Sequence, residues 1–259
     1  MSVQYQIQDE VALITLHRPD RFNAVSADLS EKLIAGLKRA AGEARALVLT
    51  GSGKAFCAGA DLADLMSDYE TGGPDLHRVI EQRFNPMGRA LLEAPLPTIA
   101  AINGVAAGAG MGLALACDLR VMSTEAYFLS AFIGLALIPD TGSTWLLVHH
   151  LGLSRALEFT ASNRRMPASE AANLGITHQL AEPDQVTETA LAYARQLADG
   201  PTTAYAANRQ IFYQSAATDF SSALDGERDL QGELGRTPAH LEGMRAFLEK
   251  RPPNYRNPG

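Results

Sequence analysis

Thr98–Cys117, TIAAINGVAAGAGMGLALAC, decides the fold. Thr98 to Ile102 is a short apolar run with the length and composition of a buried strand. Asn103-Gly104 turns the chain. Residues with almost no side-chain bulk follow, and Gly112 to Ala116 reads as helix. Strand, glycine-rich loop and helix in this order form an α/β unit whose loop backbone is open to close approach by a ligand. The start of the helix offers free N–H groups and partial positive charge, suited to a developing oxyanion. Gly108, Gly110 and Gly112 fit close packing of helix on strand equally well. Their spacing does not match the dinucleotide fingerprint G-x-G-x-x-G.

Upstream the pattern recurs. Ala46 to Thr50 is a buried strand, and Gly51 to Leu62 (GSGKAFCAGADL) is a small-residue loop ending in an acid at a helix start. Such a loop suits backbone hydrogen bonding to a ligand, or is simply a tight turn. Lys54 is followed by alanine, so it is not a phosphate-binding P-loop. Further out, Val11 to Leu16 is a strand. Ser26 caps a helix carrying Leu29, Leu33, Ile34 and Leu37. Residues 70–75 read as a surface loop, and His77 to Glu93 as helix. Leu119 to Met122 and Ala126 to Leu129 are strands. Beyond Thr141 the pattern is helical: 144–150, 154–162, 169–174, 183–198, 203–217, 219–234 and 238–249. Alternating strands and helices predict largely parallel sheets buried on both faces. The division is an α/β core, 1–200, and a helical C-terminal segment, 201–259.

Bulk properties exclude several classes. Hydrophobic residues are 46% and charged residues 20% of 259, ordinary for a globular chain. The net charge of −7 argues against nucleic acid or an anionic membrane as partner. Cys57 and Cys117 stand far apart in apolar stretches, so neither a disulfide framework nor a cysteine metal site is expected. The histidines are scattered except for His149-His150, and no metal site is predicted. Met1 to Glu10 has no apolar signal core, and no run reaches the ~20 apolar residues that span a bilayer. The expectation is a soluble, cytoplasmic protein.

"KAFCAGADL" (54–62) and "INGVAAGAGMGLALACDLRV" (102–121) resemble the two signature regions of the crotonase (enoyl-CoA hydratase/isomerase) superfamily. The resemblance continues in order through "AYFLSAFIGLALIPDTGSTWLL" (126–147), "LGLSRALEFTASNRRMPASEAANLGI" (151–176) and "EGMRAFLEKRPPNY" (242–255), nearly the whole chain. It implies a spiral core of repeated ββα units with a helical C-terminal trimerisation segment, giving a homotrimer or a dimer of trimers. It also implies an acyl-CoA thioester substrate and no separate cofactor, CoA being part of the substrate. Carried over by motif position, the N–H groups of Ala58 and Ala109 form the oxyanion hole. Ala58, Gly59, Ala60, Asp61, Leu62, Gly108 and Phe132 line the substrate site. Lys250 lies near the CoA phosphates, across a subunit boundary.

The family's hydratases place two glutamates around the water they add. This chain has Gly112 and Phe132 at those positions, which disfavours hydration. Asp140 occupies the position that the family uses as a base in isomerases and as a nucleophile in a dehalogenase. An aspartate among Phe132, Leu137 and Ile138 should ionise less readily than usual. The same residue, following Pro139, also fits a helix cap. Segments such as "RFNPMGRAL" (83–91) and "ERDLQ" (227–231) are similar to the ring-1,2-epoxyphenylacetyl-CoA isomerases, whereas "LVHHLG" (147–152) departs from them. The first expectation is thus an isomerase with Asp140 as base, by a 3-enoyl to 2-enoyl shift or by opening a ring epoxide. A hydratase-like, dehalogenase or hydrolase activity and a non-catalytic acyl-CoA binder are the alternatives.

Overall fold

The computed structural model describes residues 1–69 and 72–256. Residues 70 and 71, the start of the expected surface loop, lie outside them.

Two sheets form the core. The larger has six strands in the order β1 (Val3–Gln8), β2 (Val11–Leu16), β3 (Ala46–Gly51), β5 (Thr98–Ile102), β7 (Leu119–Ser123), β10 (Gln179–Ala181). The smaller has four, in the order β4 (Ala55–Cys57), β6 (Val105–Ala107), β8 (Tyr127–Leu129), β9 (Arg165–Pro167). Only β1–β2 and β8–β9 pair antiparallel; the other ladders are parallel. The pairs β3–β4, β5–β6 and β7–β8 each give their first strand to the large sheet and their second to the small one. Each then leads to helix, and this repeat winds the chain into a spiral.

The apolar strands of the large sheet are buried on both faces, as a largely parallel sheet requires. Leu47, Leu49, Ala100 and Ile102 face the main core. Their alternates Ala46, Val48, Ile99 and Ala101 face Val186, Ala190, Leu191 and Ala194. Those four lie on a later helix, which covers the outer face.

The helices are α1 (Ala27–Glu43), α2 (Leu62–Tyr69), α3 (Leu76–Val79), α4 (Asn85–Leu92), α5 (Ala109–Ala116), α6 (Ser143–Leu151), α7 (Leu153–Ser162), α8 (Ala168–Asn173), α9 (Val186–Ala198), α10 (Thr202–Ser215), α11 (Phe220–Leu234) and α12 (Pro238–Glu249). Ser26 caps α1 as read, its Oγ accepting the Leu29 N–H at 3.2 Å. Between α3 and α4 the chain makes a π turn, Ile80–Phe84, closed by the Asn85 N–H on the Ile80 carbonyl. Pro86 explains it. Its ring would collide with a carbonyl four residues back in a regular helix, and the wider turn relieves that contact.

Five strands escaped the sequence reading: β1, β4, β6, β9 and β10. β1 (VQYQIQ) alternates apolar and polar residues at the sheet edge and is half exposed. The other four have three residues each, too few to show a period. Among the described residues no helix is long and apolar enough to cross a membrane.

The C-terminal helices are tied to the core by polar contacts. Arg45 donates to the carbonyls of Ala198, Gly200 and Tyr255. Arg209 of α10 pairs with Asp118 at 2.9 Å.

Candidate active site

β4, β6 and β8 are neighbouring parallel strands, so their C-terminal ends lie side by side. A crevice at that edge is the usual ligand position in a parallel sheet. Here it is a cavity of about 610 Å³. Ala58, Gly59 and Ala60 enter it from β4, Gly108 and Ala109 from β6, and Ala131 and Phe132 from β8. Leu62 and Met66 of α2, Val79 of α3 and Ile80 and Phe84 of the π turn form an apolar wall, and Leu135, Leu137 and Ile138 close another side. Asp140 is the one ionisable side chain among these lining residues.

The backbone of the first loop overturns one assignment. The Ala58 N–H donates to the Phe22 carbonyl at 3.0 Å, so it is not free for a ligand. The Gly59 carbonyl accepts from Val25 at 2.7 Å, and the Asp61 N–H donates to the Val25 carbonyl at 3.1 Å. Consecutive residues of an extended strand point their polar groups to opposite sides. Ala58 and Gly59 both address the Phe22–Val25 segment because Gly59 has φ +93°, a conformation that needs glycine. The flip puts Ala60 out of phase. Ala60 sits on an isolated bridge to Val25 and makes no backbone hydrogen bond through its own N–H. The available donor of this loop is therefore Ala60, not Ala58. Glycine at 59 permits this reversal, but the reversal itself follows from its φ and not from the residue type.

On the second loop, Gly108 (φ +53°) precedes the first residue of α5. Its N–H donates to the Leu129 carbonyl at 3.0 Å, leaving the Ala109 N–H without a partner at the helix start. The two loops touch: a Cβ on Gly59 would lie 3.5 Å from the Ala109 nitrogen. Ala60 and Ala109 thus present two N–H groups without a partner among the described residues at one end of the cavity, where a helix N-terminus adds partial positive charge.

Asp140 stands in the loop between β8 and α6. Burial pushes its carboxyl above the ordinary range, and a hydrogen bond from the Thr141 hydroxyl, 2.7 Å from Oδ1, offsets part of the rise. It is not a helix cap. The residue capping α6 is Gly142, no side chain caps that helix, and the Ser143 N–H bonds the Asp140 carbonyl rather than its carboxylate.

Of the two positions without a carboxylate, Gly112 is closed to one and Phe132 fills the other with an apolar ring. A Cβ on Gly112 would lie 2.8 Å from Ser143 Oγ and 3.0 Å from Thr141 Cβ, so no longer side chain fits unless the turn moves. Phe132 packs over Gly108, its Cζ 3.8 Å from where a Cβ would be.

Ala58, Gly59, Ala60, Leu62, Gly108 and Phe132 all lie in the cavity wall. Asp61 does not. Its carboxylate is buried, ion-paired with Arg18 at 2.7 Å, and accepts the Ala63 N–H at the start of α2. Lys250 is the left-handed C-cap of α12, exposed, and outside the cavity of its own chain. Among the described residues no group of three or more His, Cys, Asp and Glu is placed to hold a metal ion.

The sequence profile described as enoyl-CoA hydratase/isomerase matches residues 6–258. The chain is 41% identical over 254 residues to a Rhodobacter capsulatus protein described as a probable enoyl-CoA hydratase, covering 98% of this chain and 97% of that one. It is 38% identical over 251 residues to the 1,2-epoxyphenylacetyl-CoA isomerase of Escherichia coli, covering 96% of each. The crystal structure of enoyl-CoA hydratase from Bacillus anthracis superposes with a TM-score of 0.90 at 31% identity, over 98% of this chain and 99% of that one. With the spiral of two sheets and the paired glycine-rich loops, these matches place the chain in the crotonase superfamily, as a member of the enoyl-CoA hydratase/isomerase family.

Proposed function

We propose that the protein is a CoA-thioester isomerase in which Asp140 is the general base and the N–H groups of Ala60 and Ala109 stabilise an enolate. The observation that carries this reading is the half-buried Asp140 carboxylate, the one ionisable group among the described residues lining an otherwise apolar cavity, beside two backbone N–H groups that have no partner among those residues. With a 3-enoyl-CoA, the Asp140 carboxylate takes a proton from C2. The electron pair left behind delocalises onto the thioester oxygen, giving a dienolate. Asp140 then returns the proton to C4, and the double bond moves from C3–C4 to C2–C3. Each donor aimed at the developing oxyanion is worth roughly 3–4 kcal/mol in comparable sites. The raised pKa suits Asp140 to both halves of the transfer, since a base nearer the working pH both takes and returns a proton.

Hydration needs a second group to activate water, and the places for it are filled by Thr141, Ser143 and Phe132. The relative described as a probable hydratase makes hydration the competing activity to assay. The apolar lining suits a hydrocarbon or aryl acyl group, and the likeness to an epoxyphenylacetyl-CoA isomerase makes the ring epoxide the second substrate to try.

The test is conversion of a 3-enoyl-CoA to the conjugated 2-enoyl thioester, followed by ultraviolet absorbance. Asp140→Asn should lose roughly 100- to 10,000-fold in kcat while still binding CoA thioester. Wild-type activity in Asp140→Asn would remove the base. A wild type that only adds water to 2-enoyl-CoA would make the protein a hydratase. Release of free acid or halide would favour the nucleophilic reading, and binding without turnover the non-catalytic one.

The assembly proposed is a homotrimer or a dimer of trimers, with Lys250 of one chain near the CoA phosphates held by another. Exposed apolar side chains on α10 to α12 support it, among them Phe212, Phe220, Phe247 and Leu248.

A further inference from the structure

Thr141 combines three features that rarely coincide. It is β-branched yet has φ +54°, a left-handed conformation that such side chains seldom adopt. It is buried, 1% exposed. Its hydroxyl makes the one side-chain hydrogen bond to the Asp140 carboxylate among the described residues, 2.7 Å to Oδ1. Strained backbone of this kind persists where the surroundings hold it, and it clusters at functional sites.

The surroundings do hold it. Gly88 of α4 and Gly112 of α5 leave a niche around Thr141. A Cβ on Gly88 would lie 3.3 Å from the Thr141 carbonyl oxygen, and one on Gly112 would lie 3.0 Å from both that oxygen and Thr141 Cβ. Gly142 follows at φ +76° and begins α6. Two helices thus lack a side chain where the threonine sits. The strain is of use only if that residue has to be there.

The geometry points to Thr141 as a positioning residue for proton transfer, its hydroxyl holding Oδ1 of Asp140 so that Oδ2 is the oxygen offered to the substrate. This inference rests on Asp140 being the base. A freely rotating carboxylate would present either oxygen in many orientations. One held by a buried donor on a rigid turn is aimed before the substrate arrives. The hydroxyl also favours the ionised form, opposing burial. Among the described residues no other titratable group lines the cavity with Asp140. Behind the turn, Arg89 of α4 and Glu93 at its C-cap line a separate cavity of about 270 Å³ with Thr141 and Gly142. α5 brings only glycine and apolar residues, and α6 brings His149 and His150 at its far end. None of these charges contributes to the shift at Asp140.

The experiment compares wild type, Thr141→Val, Thr141→Ser, Thr141→Ala and Asp140→Asn in 3-enoyl-CoA isomerisation, with kcat, KM and the pH profile of kcat/KM. Thr141→Val keeps the branch and loses the donor. Its kcat should fall on the order of 10- to 100-fold with KM little changed, and its acid limb should move to higher pH. Thr141→Ser should recover most of the rate and restore the limb. If Thr141→Val does not fold by circular dichroism, Thr141→Ala carries the comparison, since it lacks the hydroxyl and relieves the crowding. Its limb should move as well. Wild-type kcat and limb in the hydroxyl-free variants, with Asp140→Asn inactive, would overturn the role of Thr141 alone. So would Thr141→Ser as damaged as Thr141→Val, which would make shape the requirement. An active Asp140→Asn would overturn the base, and this inference with it.

Discussion

Burial raises the pKa of Asp140 above the value its carboxyl has in the unfolded chain. The native state therefore holds that proton more tightly than the unfolded state does. Whatever stability the residue contributes is fully present below the unfolded pKa and is lost as pH rises through the folded one. At neutral pH the ionised carboxylate is a cost, kept for chemistry. Asp140→Asn should accordingly raise the melting temperature at pH 7 while losing most of the activity, and the gain should vanish in acid. Gly112 makes the converse case. Gly112→Glu would supply the carboxylate that the family's hydratases carry, but its Cβ meets Ser143 Oγ at 2.8 Å. It should lose about 1–3 kcal/mol in urea unfolding, as overpacked sites do, without gaining hydratase activity. At this scale the sequence was informative about types and poor about directions. Asp140 and Ala109 were legible because a motif names them. The exchange of Ala58 for Ala60 was not, because which side of a strand an N–H faces depends on a dihedral angle at Gly59 that no residue letter states. Asp61 looked like a ligand contact, and its ion pair with Arg18 needed a fold to bring the two together.

Helix α5 is the element on which the site turns. Its N-terminus presents the Ala109 N–H, and its C-terminus meets Arg120, 2% exposed. Arg120 donates to the carbonyls of Leu115, Cys117 and Ile176, so a buried cation sits at the negative end of the helix dipole with no carboxylate hydrogen-bonded to it among the described residues. Arg120→Met would leave those carbonyls unsatisfied, at about 1–3 kcal/mol each. A loss of about 3 kcal/mol or more in urea unfolding is expected. The same region holds His150 and His178, each lowered to about 4 from 6.5, by burial first and by Arg120 second. Both are neutral in the fold and take up protons first when unfolded. Stability is fully present above the unfolded value and falls as pH drops from about 6.5 toward about 4. His150→Gln should flatten that fall in thermal melts across the range. The longer helices, such as α1 and α9, were readable because they keep their apolar residues at helical spacing over several turns. Of the three-residue strands, β8 was read within the apolar run Ala126 to Leu129, whereas the identity of β4, β6, β9 and β10 comes from the neighbours that pair with them.

For the molecule as a whole, the two sheets divide the work: the large one is buried on both faces and the small one carries the site at its edge. The adjacent Phe247 and Leu248 of α12, 80% and 72% exposed, form an apolar surface that the proposed association would cover. Sedimentation equilibrium should give a mass of three or six chains, and Phe247→Glu should shift it toward one. Sequence periodicity located the helices of the C-terminal segment without revealing whether their apolar residues face the core or another chain, since both burials leave the same pattern. The adjacency of β4 and β6 has a metric consequence. Neighbouring strands run about 4.8 Å apart, and donors inheriting that separation, each about 2.9 Å from one shared oxygen, subtend roughly 110° at it. That is near the angle between a carbonyl's two lone pairs. The inter-strand repeat then serves as a ruler for a forked grip on a single atom, one that any parallel ladder ending in two amide-bearing turns already possesses before a catalytic side chain is added.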